Sequence, residues 1–318
     1  MTSKEVKIPT IDFCKVELKP DTTHWHLTKA QVFQALQEYG CFEAIYDNVP
    51  SEIRESMFGT LKEIFEFPLE TKLKNLSDKP LQGYLGQIPH LPLYESVSIS
   101  DLLQSQSVEM FANIFWPHDG NPDRCNVVKS YSKSPVELDK IVKRMVLETL
   151  GLKKYVKDEF LEPNDFYLRF SHYQAPQGED RNKIGLSGHT DVTILSIISQ
   201  NQVNGLQVLN KNGDQWIDVN IAPNSFLVLS GDAFMAWTNG RVHSPIHRVT
   251  MAGDGDRFSI QLSSLPKVDC TIEAPKELVD QEPPLLFKPY ESVGYFKYVM
   301  SEAGNRAGIG VFKSYCGV

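Results

Sequence analysis

Apolar positions recur every three to four residues through the first part of the chain and shift towards alternation through the second, which predicts helices first and strands afterwards. Within 27–150, Val32, Leu36 and Tyr39 form one stripe, and Ile53, Met57, Leu61, Ile64 and Phe65 form another. Ser51 stands where a hydroxyl N-cap is expected, and Pro68 closes the second run. A further helix is predicted over 136–150, with Leu138, Ile141, Val142, Met145 and Leu150 inward and Gly151 as its stop. Between these helices, 79–92 is rich in Pro, Gly and His and reads as an irregular loop.

From Tyr167 onward short β-rich runs take over, at 167–170, 193–198, 206–209, 216–219, 226–229 and 258–262. Turn formers separate them, among them Asn204-Gly205, Asn212-Gly213 and Ala222-Pro223-Asn224. Regular short strands of this kind predict a sandwich or barrel. A proline-punctuated crossing follows over 275–289, and 293–303 is predicted as a closing helix. With no internal repeat or low-complexity linker, the expectation is a single catalytic unit over 1–318. It comprises a mainly helical region (1–150), a β-core (160–270) and a C-terminal crossing and helix (271–318).

A chain of 318 residues can bury a large core, and 41% hydrophobic with 23% charged residues is ordinary for a globular enzyme. The formal net charge of -8 argues against nucleic acid as the main partner, because phosphate binding wants a basic face. Cys14, Cys41, Cys125, Cys270 and Cys316 are odd in number and show no CxxC spacing, so neither a disulfide framework nor a zinc ribbon is indicated. That usage fits a reducing compartment. The polar start lacks the apolar stretch of a signal peptide, no run approaches the ~20 apolar residues of a membrane span, and Cys316 sits one place too late for prenylation. The expected protein is cytoplasmic and monomeric, acting on a small-molecule substrate without nucleic acid or membrane.

The chemistry concentrates in His189-Thr190-Asp191, His247, Arg257 and Ser259. Two imidazoles and one carboxylate are the ligands of a facial triad, which holds Fe(II) and leaves other positions open. On an extended segment His189 and Asp191 point to the same side. His247 lies far downstream, as expected when strands on opposite sides of a β-core converge. His243 shares its parity with His247, so alternation alone does not choose between them. The spacing to Arg257 favours His247. His24, His26, His90 and His118 read as surface residues and His172 as structural. Arg257 and Ser259 share one strand face; a guanidinium grips a carboxylate through two parallel hydrogen bonds, which lysine cannot match. Tyr173 offers a further hydroxyl from a neighbouring strand.

The segments IPTIDF (8–13), YGCF (39–42), FPLETK (67–72), HTD (189–191), NGLQV (204–208), NGRVHSPIHR (239–248) and RFS (257–259) resemble the plant 2-oxoglutarate/Fe(II)-dependent dioxygenase superfamily over almost the whole chain. That resemblance implies a mainly β fold with α, a double-stranded β-helix (jelly roll) flanked by helices. It implies Fe(II) on the catalytic residues His189, Asp191 and His247. It also implies 2-oxoglutarate on Arg257 and Ser259 with Tyr173 assisting, O2 as the oxidant and ascorbate as reductant. Where many members have Asn-Tyr-Tyr-Pro, this chain has Ser171-His172-Tyr173-Gln174.

Wording such as EYGCFEAIYDNV, FANIFWP, GDAFMAWTNGR and KSYCGV resembles the alkenyl/hydroxyalkyl glucosinolate-type clade, and within it nightshade enzymes that hydroxylate steroidal glycoalkaloids. The implied reaction is hydroxylation at an unactivated C–H bond, at C-23 or C-16. Alternatives are the same chemistry on a glucosinolate, lignan or hormone, or desaturation or ring closure. From other classes, the alternatives are a zinc hydrolase and a non-catalytic jelly-roll binding protein. Strand parity together with the resemblance points to Met110, Ala112, Arg169, Ser263 and Leu265 as substrate contacts, with 82–94 and the last helix as a lid.

Overall fold

Strand β1 (Thr10–Asp12), helix α1 (Thr23–Glu38) and strand β2 (Cys41–Ile45) open the computed structural model, which describes residues 6–14, 19–117, 122–157, 165–177, 183–267, 269–279 and 284–318. The Thr22 side chain accepts from the Trp25 N–H to cap α1, whose inner face carries Trp25, Val32 and Leu36. Gly40, at φ +71°, turns the chain into β2; a side chain there would strike the His243 carbonyl and the Pro245 ring. The turn is therefore pressed against the segment that leads into His247.

Helix α2 (Ser51–Glu66) has no side-chain cap, because Pro50 precedes it and Ser51 is its first residue rather than its cap. Next come α3 (Leu69–Lys72), β3 (Tyr94–Ile99), α4 (Ser107–Phe115) and α5 (Pro122–Thr149). The last of these starts well before the predicted residue 136. Buried Cys125, Val128 and Tyr131 extend its apolar stripe upstream, and Pro135 lies inside the helix although proline usually breaks one. The first region is thus less purely helical than its pattern predicts: β2 and β3 both join a sheet built mainly from later strands.

That sheet and its partner come from β4 (Asp165–Tyr173), β5 (Lys183–His189), β6 (Leu195–Gln200), β7 (Leu206–Leu209), β8 (Trp216–Asp218), β9 (Ser225–Ser230), β10 (His247–Met251) and β11 (Arg257–Leu265), with α6 (Asp232–Trp237) between β9 and β10. The larger sheet runs β1-β2-β9-β6-β11-β4-β3 and the smaller β5-β10-β7-β8. One apolar cluster joins the helices to the larger sheet, including Leu36, Leu61, Val142, Phe170 and Ile197. A second fills the space between the sheets, with Ile198, Leu227 and Leu229 facing Val208, Val249 and Met251. This is the jelly-roll arrangement expected above.

Period-two alternation sorts β11 cleanly. Phe258, Ile260 and Leu262 join the cluster under the helices, so Arg257, Ser259, Gln261 and Ser263 point to the opposite face. A short pair, β12 (Thr271–Ile272) with β13 (Tyr290–Glu291), precedes α7 (Ser292–Val299), α8 (Glu302–Ala307) and α9 (Val311–Cys316). The single closing helix predicted over 293–303 is therefore interrupted: Ser301 caps a new helix by accepting from the Gly304 N–H, and Gly308 ends it at φ +53°. Among the described residues no helix is long and apolar enough to cross a membrane.

Candidate active site

His189 ends β5 and His247 begins β10, and the two are direct partners across that antiparallel pair. Their ring centroids lie 4.3 Å apart. They converge because their strands are neighbours in one sheet, not because strands meet from opposite sides of the core. Asp191 lies beyond the end of β5, so a turn rather than strand parity brings it in. Its Oδ1 is 3.7 Å from His189 Nε2 and 3.8 Å from His247 Nε2. One ligand atom from each residue falls within 4.8 Å of the others, an arrangement that can hold one metal ion.

The imidazoles are oriented from behind. Each Nδ1 faces a backbone carbonyl, His189 that of Ser187 at 2.8 Å and His247 that of Pro245 at 3.2 Å. A carbonyl only accepts, so Nδ1 carries the hydrogen and each Nε2 keeps its lone pair for an ion. Burial lowers the His189 pKa to about 4, with His247 adding to the fall and Asp191 opposing it. Burial alone would raise Asp191, but the two imidazoles outweigh it and hold the carboxyl below its ordinary range. A neutral His189 imidazole beside an ionised Asp191 carboxylate, with the His247 ring converging on the same point, is a donor set suited to Fe(II). Gln261 steadies Asp191 further, its Nε2 donating to Oδ2 at 3.4 Å and to the Ser196 and Ser263 hydroxyls at 3.1 Å.

Behind the triad sits Asp232, fully buried at the first turn of α6. Its N–H donates to the Asp191 carbonyl at 2.7 Å. Its carboxylate accepts from the hydroxyls of Thr190 (2.9 Å), Ser244 (2.8 Å) and Tyr295 (2.7 Å). Burial raises its pKa to about 6; Tyr295, Ser244 and Thr190 pull it down against that, and Asp191 adds to the rise. Gly231 precedes it because a side chain there would collide with the Thr193 backbone. His243 stays outside: its N–H donates to the Leu36 carbonyl and its ring does not reach the triad, so His247 is the histidine that converges. Burial, then Lys211, lowers the His243 pKa to about 4.

Arg257 stands opposite Tyr173 across β11 and β4. Only 1% exposed, it donates from Nε to Gln200 Oε1 at 3.1 Å and from Nη1 to the Ser259 hydroxyl at 3.4 Å. Its guanidinium lies 5.0 Å from the Tyr173 ring centroid. Among the described residues no carboxylate pairs with it. Burial lowers its pKa while Tyr173 opposes the fall, yet a guanidinium remains charged in any protein. A buried cation held only by neutral groups is a place for a ligand carboxylate. Ser171 lies directly opposite Ser259.

A cleft of about 430 Å³ opens over these strands, within the ~300–1,000 Å³ usual for small-molecule sites. His189, Asp191, Arg169, Ser171, Tyr173 and Gln261 contribute to its lining. Leu81, Leu85, Ile88 and Leu91 come from the loop before β3, and Tyr295, Val299, Met300 and Val311 from the C-terminal helices. Both segments expected as a lid therefore line it.

Of the residues expected to contact substrate, only Arg169 lines this cleft. Its Nη1 donates to the hydroxyls of Tyr94 (3.2 Å) and Ser96 (2.9 Å), and Nη2 donates to the Leu81 carbonyl. Met110 and Ala112 lie on α4, so strand parity does not apply to them; Met110 is exposed and Ala112 is packed in the core under the helices. Ser263 is spent on Gln261, and Leu265 is buried at the far end of β11. His172 is structural, as expected: it stacks 4.7 Å from Phe258 and bridges Glu95 (3.3 Å) and Asp256 (2.8 Å). His26 and His90 are exposed, but His24 is half-buried with its Nε2 enclosed and unpartnered. His118 lies outside the described residues. Gln200, Gln261, Asp232 and Tyr295 carry no local signal in the sequence, because the bonds that tie them to the site, to Arg257, Asp191, Thr190 and Asp232, join residues far apart in the chain.

Residues 165–266 match the 2OG-Fe(II) oxygenase superfamily, and residues 8–118 match the non-haem dioxygenase in morphine synthesis N-terminal family. The Arabidopsis thaliana protein named "Probable 2-oxoglutarate-dependent dioxygenase AOP1.2" is 40% identical over 309 residues, spanning 96% of this chain and 94% of that protein. The crystal structure of the rice dioxygenase for auxin oxidation superposes with a TM-score of 0.81 at 27% identity, covering 98% of this chain and 100% of its own. JOX2 in complex with 2OG, Fe and JA superposes with a TM-score of 0.79 at 25% identity, covering 99% of this chain and 90% of its own.

Proposed function

Because the chain belongs to the 2OG-Fe(II) oxygenase superfamily, we propose that it oxidises an unactivated C–H bond of a plant specialised metabolite at the His189–Asp191–His247 site. It is a 2-oxoglutarate/Fe(II)-dependent dioxygenase. When bound, iron and 2-oxoglutarate supply the activation of O2, with ascorbate as reductant. The residues supply geometry: the triad would hold the ion, and Arg257 with Ser259 and Tyr173 would hold a carboxylate of 2-oxoglutarate. The observation that carries this reading is a convergent triad together with the buried Arg257, which has no acidic partner among the described residues. A zinc hydrolase would leave Arg257 and Ser259 without a task.

As substrate we propose a steroidal glycoalkaloid hydroxylated at C-23 or C-16, supported by the wording of GDAFMAWTNGR and KSYCGV and by the aliphatic walls of the cleft. A second reading rests on Arg169, whose hydrogen bonds in the cleft go to neutral oxygens. It favours an acidic substrate, such as a hormone acid or a glucosinolate; similar structures are described as a dioxygenase for auxin oxidation and as a JA complex. We further propose a monomeric, single catalytic unit. Its support is the one apolar cluster that runs from α1 to α9. A cytoplasmic location fits the odd number of cysteines and their lack of CxxC spacing.

The test is succinate release from 2-oxoglutarate with Fe(II) and ascorbate, with and without glycoalkaloids, glucosinolates and hormone acids, followed by product mass and NMR. Turnover is expected to disappear in His189→Ala. Undiminished turnover by metal-free His189→Ala protein would sink the triad assignment.

A further inference from the structure

We propose that Asp232 is a positioning residue that couples the seating of α7 over the cleft to the direction of the Asp191 carboxylate. Its three hydroxyl donors come from three separate segments. Thr190 stands between two members of the triad, Ser244 lies on the approach to His247, and Tyr295 belongs to α7. Through its own N–H, Asp232 also fixes the Asp191 carbonyl.

A carboxylate accepts on both oxygens and donates nothing, so it can take all three hydroxyls at once. Among the described residues no lysine or arginine pairs with it, and burying such a charge is costly. Part of that cost is offset by its place in the first turn of α6, where the backbone dipoles favour an anion. That placement would need neither Thr190 nor Tyr295. The convergence does: Oδ2 is shared by the hydroxyl of the triad turn and that of α7.

Movement of α7 away from the cleft withdraws the Tyr295 hydroxyl and leaves Thr190 as the donor to that oxygen, slackening the turn that aims Asp191. The converse follows by reciprocity: an ion that fixes Asp191 steadies α7. Substrate lying against Val299 and Met300 at the C-terminal end of α7 would thereby tighten the triad.

The proposal rests on the triad reading given above, and its test separates the two. In the full-length chain, Asp232→Asn and Tyr295→Phe are titrated with Mn(II) alone, read from the signal of the free ion. Hydrogen exchange across 292–316 is followed with and without Mn(II) plus 2-oxoglutarate. In the unaltered protein these ligands are expected to slow exchange in α7 by about fivefold or more. Tyr295→Phe is expected to lose that slowing, and Asp232→Asn to bind Mn(II) about tenfold more weakly. A residue that only stabilised α6 would lower the melting temperature and leave both readings unchanged, which would overturn the proposal. If Asp232→Asn does not fold, Tyr295→Phe decides alone: an unaltered exchange response refutes the coupling. Mn(II) binding that survives His189→Ala would instead refute the triad reading itself.

Discussion

Replacing Arg257 by methionine separates what the arginine does for the fold from what it does for the co-substrate. In the free protein the guanidinium is a buried cation that, among the described residues, bonds to Gln200 and Ser259 and lies over the Tyr173 ring. Removing it relieves a desolvation cost, and an apolar side chain of similar volume is often neutral or better in such a place. Against that stand the lost stacking on Tyr173, about 0.5–2 kcal/mol, and an orphaned Gln200 carbonyl oxygen, about 1–3 kcal/mol. These effects oppose one another, so the melting temperature of the free protein should move by a few degrees at most. Binding of 2-oxoglutarate behaves differently. Breaking a buried ion pair by removing one partner costs about 3–5 kcal/mol. At ~1.4 kcal/mol per tenfold, the Kd for 2-oxoglutarate should rise by about a hundredfold or more. Anaerobic calorimetric titration of the metal-loaded protein measures the Kd, and melting curves with and without 2-oxoglutarate measure the rest. Arg257→Met binding 2-oxoglutarate within threefold of the unaltered protein would refute the assignment. So would a large loss of stability without ligand, since it would make Arg257 a structural residue.

Two further outcomes follow from the same geometry. His247→Ala should abolish metal binding while His243→Ala leaves it intact; equal losses by equilibrium Mn(II) titration would mean that the wrong histidine has been assigned. His172 is held between Glu95 and Asp256, which raise its pKa above 6.5 against the opposing effect of burial. A raised folded-state pKa contributes stability below the ordinary value that is lost as pH rises through the folded one. Glu95 and Asp256, lowered from 4.5 and 3.8 despite burial, lose theirs as pH falls through their depressed values. The melting temperature should therefore fall from near-neutral to alkaline pH more steeply in the unaltered protein than in His172→Gln, and parallel curves would contradict it.

The convergent triad and the buried Arg257 were legible in the sequence because each arrives in a short motif whose side chains have few other uses together. Arg257 and Ser259 follow directly from alternation along one strand. His243 and His247 did not separate by parity; what separates them is that β10 begins only at His247, a fact fixed by pairing with β5. Met110 and Ala112 were misplaced because a short apolar run reads as strand or helix alike, and α4 is helical. Strands β2 and β3 were hidden for a related reason: their partners β9 and β4 lie far along the chain. Asp232 is the clearest case, since its meaning resides in hydroxyls from residues 190, 244 and 295.

Much of the cleft's apolar wall comes from chain segments outside the two large sheets, the loop at 81–91 and the helical segments at 295–311, whereas the triad and Arg257 are seated on or beside paired strands. The molecule is accordingly divided like a tool with a fixed blade and an interchangeable guide. Changes confined to those two stretches would reshape the cleft while the backbone pairing of His189 with His247 stays untouched. Someone wishing to redirect this enzyme should graft those stretches as a pair and carry Tyr295 across unchanged, since it is where the guide is bolted to the blade.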